Sequence, residues 1–112
     1  MKYALLIYSK PGSHEALSKE DYEAAYGEYV AIAENSRCLA TGRLQPVETA
    51  TTVRVQDSKT LTTDGPFAET KEVFGGFYVV EADDLDQAIE LAQRVPAARI
   101  GGAVEVRPVV EQ

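Results

Sequence analysis

Between Thr63 and Tyr78 the chain reads Thr-Asp-Gly-Pro-Phe-Ala-Glu-Thr-Lys-Glu-Val-Phe-Gly-Gly-Phe-Tyr. Asp64-Gly65-Pro66 is a turn signature, Glu69 to Glu72 is a short charged segment, and Gly75-Gly76 opens an apolar strand. A segment of this kind between two strands reads as a shaped loop, and shaped loops on a rigid sheet are where small domains carry binding sites. The run that follows, Phe77 to Val80, is apolar at every position rather than alternating. Tyr3 to Tyr8, near the start of the chain, has the same character. Short runs of this type predict strands covered on both faces, and these two decide the topology.

Around those two strands the remaining elements fall into order. Pro11 to Leu17 is a loop, and Ser18 is placed to cap a helix whose first turn carries Glu20 and Asp21, where the helix dipole favours negative charge. Tyr22, Ala25, Tyr26, Tyr29 and Ala33 recur at helical spacing, with Glu23, Glu28 and Glu34 largely on the other side. Gly27 costs that helix ~1 kcal/mol relative to Ala, with no compensating reason in the sequence. Leu39 to Val47 is predicted as a second strand, at an edge or irregular because Pro46 interrupts it. Thr51 to Gln56 alternates, Asp57-Ser58-Lys59 turns, and Thr60 to Thr63 returns, which predicts a hairpin with one wet face. Asp84 caps a second helix in capping-box spacing with Gln87; Leu85, Ala88, Ile89, Ala92 and Val95 form its stripe and Pro96 ends it. Ala103 to Val110 closes the series, with Val104, Val106 and Val110 on one face and Glu105 and Arg107 on the other.

Strand, helix, strand, inserted hairpin, strand, helix, strand is the split βαβ pattern. The predicted class is α+β, ferredoxin-like βαββαβ with an inserted β-hairpin, as a single domain over residues 1–112. In that topology the first and third main strands are central, which agrees with their being apolar on both faces. Two helices cover only one face of a four-stranded sheet. Leu6, Tyr8, Tyr78 and Val80, or their neighbours of opposite parity, are therefore expected on an open apolar face. A two-fold, face-to-face homodimer is the economical way to cover it. The hairpin folding back as a lid is the alternative, but it brings few large apolar side chains.

Composition narrows the partners. The net charge is −7 and the 11 basic residues are scattered, so nucleic acid and anionic membrane are poor expectations. With one cysteine, Cys38, and one histidine, His14, neither an intrachain disulfide nor a Cys/His zinc cage can be built from one chain, and no metal or cofactor is expected. The apolar opening from Met1 to Ser9 is too short for a signal peptide or a membrane span, so a cytoplasmic protein is expected.

Asp64 is the carboxylate to single out for chemistry, because Gly65-Pro66 restricts it and an acid or base needs fixed orientation. Asp before Gly also commonly bonds its own backbone in an Asx-turn, and the residues alone favour that role. Phe67 and Phe74 bracket the charged segment as pocket walls or hydrophobic anchors, and Lys71 is a cation for an acidic ligand or one of a solvated group with Glu69 and Glu72. Gly75-Gly76 precedes a strand, not a helix, which rules out a phosphate loop and predicts a bulge or a close backbone approach. His14 lies in the first loop, where a lone histidine is usually exposed; Ser13 beside it makes no relay, and no third partner is evident. Cys38 follows Arg37 and is expected as a structural thiol near a helix end.

At Asp64-Gly65-Pro66-Phe67 the chain resembles the YCII-related family, in the branch named for the Asp-Gly-Pro-Phe motif. The resemblance extends through Met1 to Tyr8, Thr51 to Val55, Thr63 to Phe77, Pro96 to Arg99 and Val104 to Pro108. It implies a dimeric α/β barrel within a superfamily of small lactone isomerases, monooxygenases and a dehydrochlorinase of chlorinated hydroquinones. It also implies association of some members with extracytoplasmic-function sigma factors. A His–Asp dyad is suggested for other members, with the histidine on the first helix. Asp64 stands in for the aspartate here, whereas Ala25 or Tyr26 falls near the place of the histidine. The expected site is therefore Asp64 as catalytic group, with His14, Tyr26, Phe67 and Lys71 as ligand-binding residues, acting on a small molecule in a dimer cleft. A non-catalytic, ligand-sensing partner of a sigma factor is the alternative.

Overall fold

The computed structural model describes residues 1–111. The elements are β1 (Lys2–Ser9), α1 (Lys19–Ala33), β2 (Cys38–Arg43), β3 (Thr51–Gln56), β4 (Lys59–Asp64), β5 (Val73–Glu81), α2 (Leu85–Ala92) and β6 (Ala103–Pro108), with short 3-10 turns at Val47–Thr49 and Pro96–Arg99. The four main strands form an antiparallel sheet in the order β2-β5-β1-β6, and β3-β4 stands apart as a two-stranded hairpin. This is the ferredoxin-like order, with the two all-apolar runs in the centre.

The core lies between one sheet face and the helices. Tyr3, Leu5 and Ile7 of β1 alternate inward, meeting Tyr78 and Val80 of β5, with Val104 and Val106 of β6 at its edge. From the helical layer come Ile32, Ala88, Leu91, Ala92 and Val95. Fully burying side chains of the size of Leu5 and Val80 contributes roughly 1.5–3 kcal/mol each. The parity of the open face is thereby fixed. Leu6 pairs with Phe77 and Ala4 with Val79, so these four and Tyr8 face away from the helices. Tyr78 and Val80, offered as open-face residues, belong to the core.

Both helices are capped at the expected residues, although the capping box of the second is shifted, its Gln87 side chain accepting from the Asp83 amide rather than from that of Asp84. The Ser18 hydroxyl accepts from the Asp21 amide, and the Asp84 carboxylate accepts from the Gln87 amide at 2.9 Å. The faces of the helices are turned from the predicted stripes. In α1, Ala25 and Ile32 are buried, while Tyr22 and Tyr26 are exposed, because Tyr29 and Ala33 rather than Tyr26 pack on the sheet. In α2, Leu91 takes the place expected of Leu85 and Ile89, which are exposed.

Several strand boundaries differ from expectation, and β5 begins at Val73, two residues before the glycine pair expected to open it. β2 ends at Arg43 rather than Val47, since Pro46 has no amide to donate and the chain enters a 3-10 turn. β6 ends at Pro108, where β1 runs out: the Val109 amide makes a last bond to the Lys2 carbonyl at 2.8 Å, and Val110 is left exposed. The hairpin turns through Asp57 and Ser58 alone, both at positive φ (50° and 62°), since Lys59 already pairs with Gln56. It is wet on both faces and not on one: every residue of β3 and β4 except Thr52 is exposed.

Gly75-Gly76 does both things expected of it. Ile7 pairs with Gly76 and Tyr8 with Phe74, so Gly75 is the extra residue of a bulge. A Cβ on Gly76 would sit 2.8 Å from the Gly42 carbonyl oxygen, a backbone contact no side chain tolerates.

Candidate functional site

The Asp64 loop begins where β4 ends. Its turn is held by backbone and threonine: the Gly65 amide donates to the Ala50 carbonyl at 2.8 Å, and the Thr52 hydroxyl donates to the Gly65 carbonyl at 2.8 Å. Gly65 itself adopts φ +105°, which side chains rarely adopt. Among the described residues no hydrogen bond or ion pair involves the Asp64 carboxylate, which is exposed opposite Thr51. The Asx-turn expected for this residue is not formed: Pro66, two residues on, has no amide to donate, and the Gly65 amide bonds Ala50.

The rest of the loop is open. Phe67 is 74% exposed, and the Arg54 guanidinium lies 4.8 Å from its ring centroid, a cation–π contact that links the loop to the hairpin. Lys71, Glu69 and Glu72 are all exposed. Tyr26, at 55% exposure, lies on the outer surface of α1 rather than over the sheet. Within one chain the five candidate residues do not form a single pocket. Nor does the groove of about 200 Å³ between the helices contain any of them; Glu28, Ala31, Ile32, Asn35 and Arg94 line it.

His14 differs most from its expectation. It is half-buried and not free: Nε2 lies 2.8 Å from the Tyr29 hydroxyl, and Nδ1 lies 3.3 Å from the Ser13 hydroxyl. The Tyr29 phenol is pushed up from its usual pKa by burial, with the Ala97 backbone and the Arg99 charge acting in the opposite sense. The carbonyl of Tyr29 also accepts from the Tyr78 hydroxyl at 2.8 Å. Tyr29 therefore ties the first loop, α1 and the central strand together. Sequence reading placed Tyr29 only on the inward stripe. The available signal was that a buried tyrosine hydroxyl needs a partner, and helical side chains lean toward the N-terminus, where His14 waits.

The open sheet face is the other surface that matters. Tyr8 and Phe74 pack at 5.6 Å between ring centroids beside the bulge, at the sheet end from which the hairpin leaves. Phe77 folds over Gly42, where a Cβ would meet its ring at 2.7 Å. A half-exposed apolar surface of this kind can hold a planar or apolar ligand, with charge supplied only from its rim. Cys38 is half-buried against the core, its thiol 3.5 Å from the Ala40 carbonyl. Among the described residues, no three His, Cys, Asp or Glu side chains converge as a metal site, and no helix is long and apolar enough to cross a membrane.

A four-stranded antiparallel sheet with two helices on one face, a bulged central strand and an Asp-Gly-Pro-Phe loop defines a small α+β domain of the ferredoxin-like class. Residues 1–112 match the YCII-related domain, and the chain belongs to that family. It is 36% identical over 114 residues to an uncharacterized protein of Rhizobium meliloti (strain 1021), covering 97% of this chain and 92% of that one. Among solved structures it resembles the 5-chloro-2-hydroxyhydroquinone dehydrochlorinase of Burkholderia phenoliruptrix AC1100, in complex with 2,5-dihydroxybenzoquinone. That match has a TM-score of 0.55 and 17% identity over 100% of this chain and 96% of the other. At that identity the likeness is one of fold.

Proposed function

We propose that this chain is a homodimeric, cytoplasmic small-molecule-binding protein. Its cleft lies over the open sheet face, rimmed by the loop from Asp64 to Lys71. Asp64 is the polar anchor, and it is the acid or base of any reaction carried out there. One observation carries this reading: the turn is held by Gly65, Ala50 and Thr52, which leaves the Asp64 carboxylate without a structural task. A carboxylate restricted in position but unbonded is available to accept a proton or a hydrogen bond from a ligand. The Tyr8–Phe74 pair supplies an apolar wall, and Lys71 offers positive charge from the rim. Among solved structures of this fold, the dehydrochlorinase is an enzyme acting on a small phenolic ring. That supports the ligand class, aromatic or planar, without fixing the compound.

The test is a thermal-shift screen of phenolic and other planar ring compounds against the wild-type chain and Asp64→Asn. A compound that raises the melting temperature of the wild type and not of the variant supports the reading. Compounds that stabilise both equally remove Asp64 from the site. A non-catalytic role beside an extracytoplasmic-function sigma factor uses the same cleft as a sensor. It differs in predicting ligand binding with no turnover.

A further inference from the structure

The hairpin is unlike the rest of the molecule. Val53 (59% exposed) and Val55 (68%) share one face of it with Asp64; Leu61 and the Arg54–Phe67 pair lie on the other. Its outer strand edges have no partner in the sheet. An isolated two-stranded hairpin is marginal in water, and bare strand edges invite pairing. The chain extends over 44 × 42 × 20 Å with a radius of gyration of 15.8 Å, where a compact chain of this length has about 13 Å. The hairpin therefore reaches away from its own body, while that body leaves its sheet face uncovered.

Charge points to what covers both. Residues 51–64 carry Arg54 and Lys59 against Asp57 and Asp64, two positive and two negative, so the arm is neutral in a chain of net charge −7. It can approach a second acidic copy without adding repulsion. On the open face, Glu105 and Arg107 stand two residues apart on edge strand β6, opposite Leu6 and Ala4, and neither has an ion-pair partner among the described residues. A two-fold pairing can set each of these against its opposite in the other copy, which makes the face self-complementary.

We infer that the β3-β4 hairpin is an exchange arm that docks on a second copy of this chain, so that each cleft combines the open sheet face of one protomer with the Asp64 hairpin of the other. This rests on the dimer proposed above and adds which segment crosses. It explains why Asp64, Phe67 and the Tyr8–Phe74 wall form no common pocket within one chain: the site is incomplete without the second copy.

Lysine cross-linking of a mixture of isotopically light and heavy full-length protein, with sedimentation in parallel, tests it. Lys59 is the only lysine of the arm. The expected result is a dimer in which Lys59 forms light–heavy cross-links to a body lysine such as Lys2, Lys10 or Lys71. The variant Val55→Asp, at a position exposed within the protomer, is expected to weaken association at least tenfold while keeping the wild-type circular dichroism. A dimer whose Lys59 links only within one chain overturns the arm and leaves the dimer standing. A dimer in which Val55→Asp associates as tightly as the wild type does the same. A monomer at micromolar concentration overturns both.

Discussion

Asp64 and Tyr78 show two opposite uses of a polar group. Asp64 ends a strand with its carboxylate in solvent and its turn held by other atoms, so Asp64→Asn is expected to change stability by less than ~0.5 kcal/mol. Denaturant unfolding of the variant checks this, and a larger loss returns Asp64 to the role of a turn residue. Tyr78 is 4% exposed and donates to the Tyr29 carbonyl at 2.8 Å. Burial pushes its phenol up to about 12 from an ordinary 10.0. The neutral phenol is favoured in the folded state, so its contribution is complete below pH 10 and is lost as pH rises toward 12, where the unfolded phenol ionises first. Alkaline unfolding followed by circular dichroism and phenolate absorbance is expected in that window. Tyr78→Phe is expected to lose about 1 kcal/mol at neutral pH from the missing hydrogen bond, and to unfold less steeply in alkali. An unchanged alkaline profile in that variant would assign the transition to another group.

At the level of elements, the central strands were legible because a run apolar on both faces has few homes in so short a chain, and the caps at Ser18 and Asp84 were legible because capping is local chemistry. Which way each helix turns its apolar side was not legible. The tyrosines at 22, 26 and 29 offer two stripes of nearly equal apolarity, and packing against the sheet, a long-range matter, selects the one through Tyr29, Ile32 and Ala33. The candidate site was legible in the same uneven way. The motif marked the Asp64 loop, but the His14–Tyr29 contact joins residues fifteen apart, and only the need of the Tyr29 hydroxyl for a partner toward the helix N-terminus hints at it. Gly27 gives a clean element-level test. It is exposed, has ordinary φ, and a Cβ there would touch nothing. Gly27→Ala is expected to stabilise α1 by about 1 kcal/mol, read as a rise of a few °C in melting temperature. Gly102 is its opposite, since a Cβ there would lie 2.2 Å from the Tyr8 carbonyl oxygen and 3.0 Å from that of Ala97. Gly102→Ala is expected to break the start of β6 and lose several times what Gly27→Ala gains.

For the whole molecule, the decisive quantity is how much surface one chain leaves uncovered. The open sheet face is apolar and half-exposed, and the hairpin exposes Val53, Val55 and Leu61, yet neither covers the other within the protomer, and the molecule is more extended than its length requires. A monomer would carry that surface at a cost; a dimer would bury it, and its stability would then depend on concentration by mass action. A hundredfold increase in protein concentration adds ~2.7 kcal/mol per mole of dimer. Spread over the unfolding entropy of two chains, about 2.1 cal/mol/K per residue, this is a rise in melting temperature of about 6 °C. Melting followed by circular dichroism from sub-micromolar to tens of micromolar protein measures it directly. The same series on Val55→Asp should start lower, because the arm no longer contributes to association. A melting temperature independent of concentration in the wild type would mean that each chain is stable alone, with its sheet face left to a ligand or to a different partner.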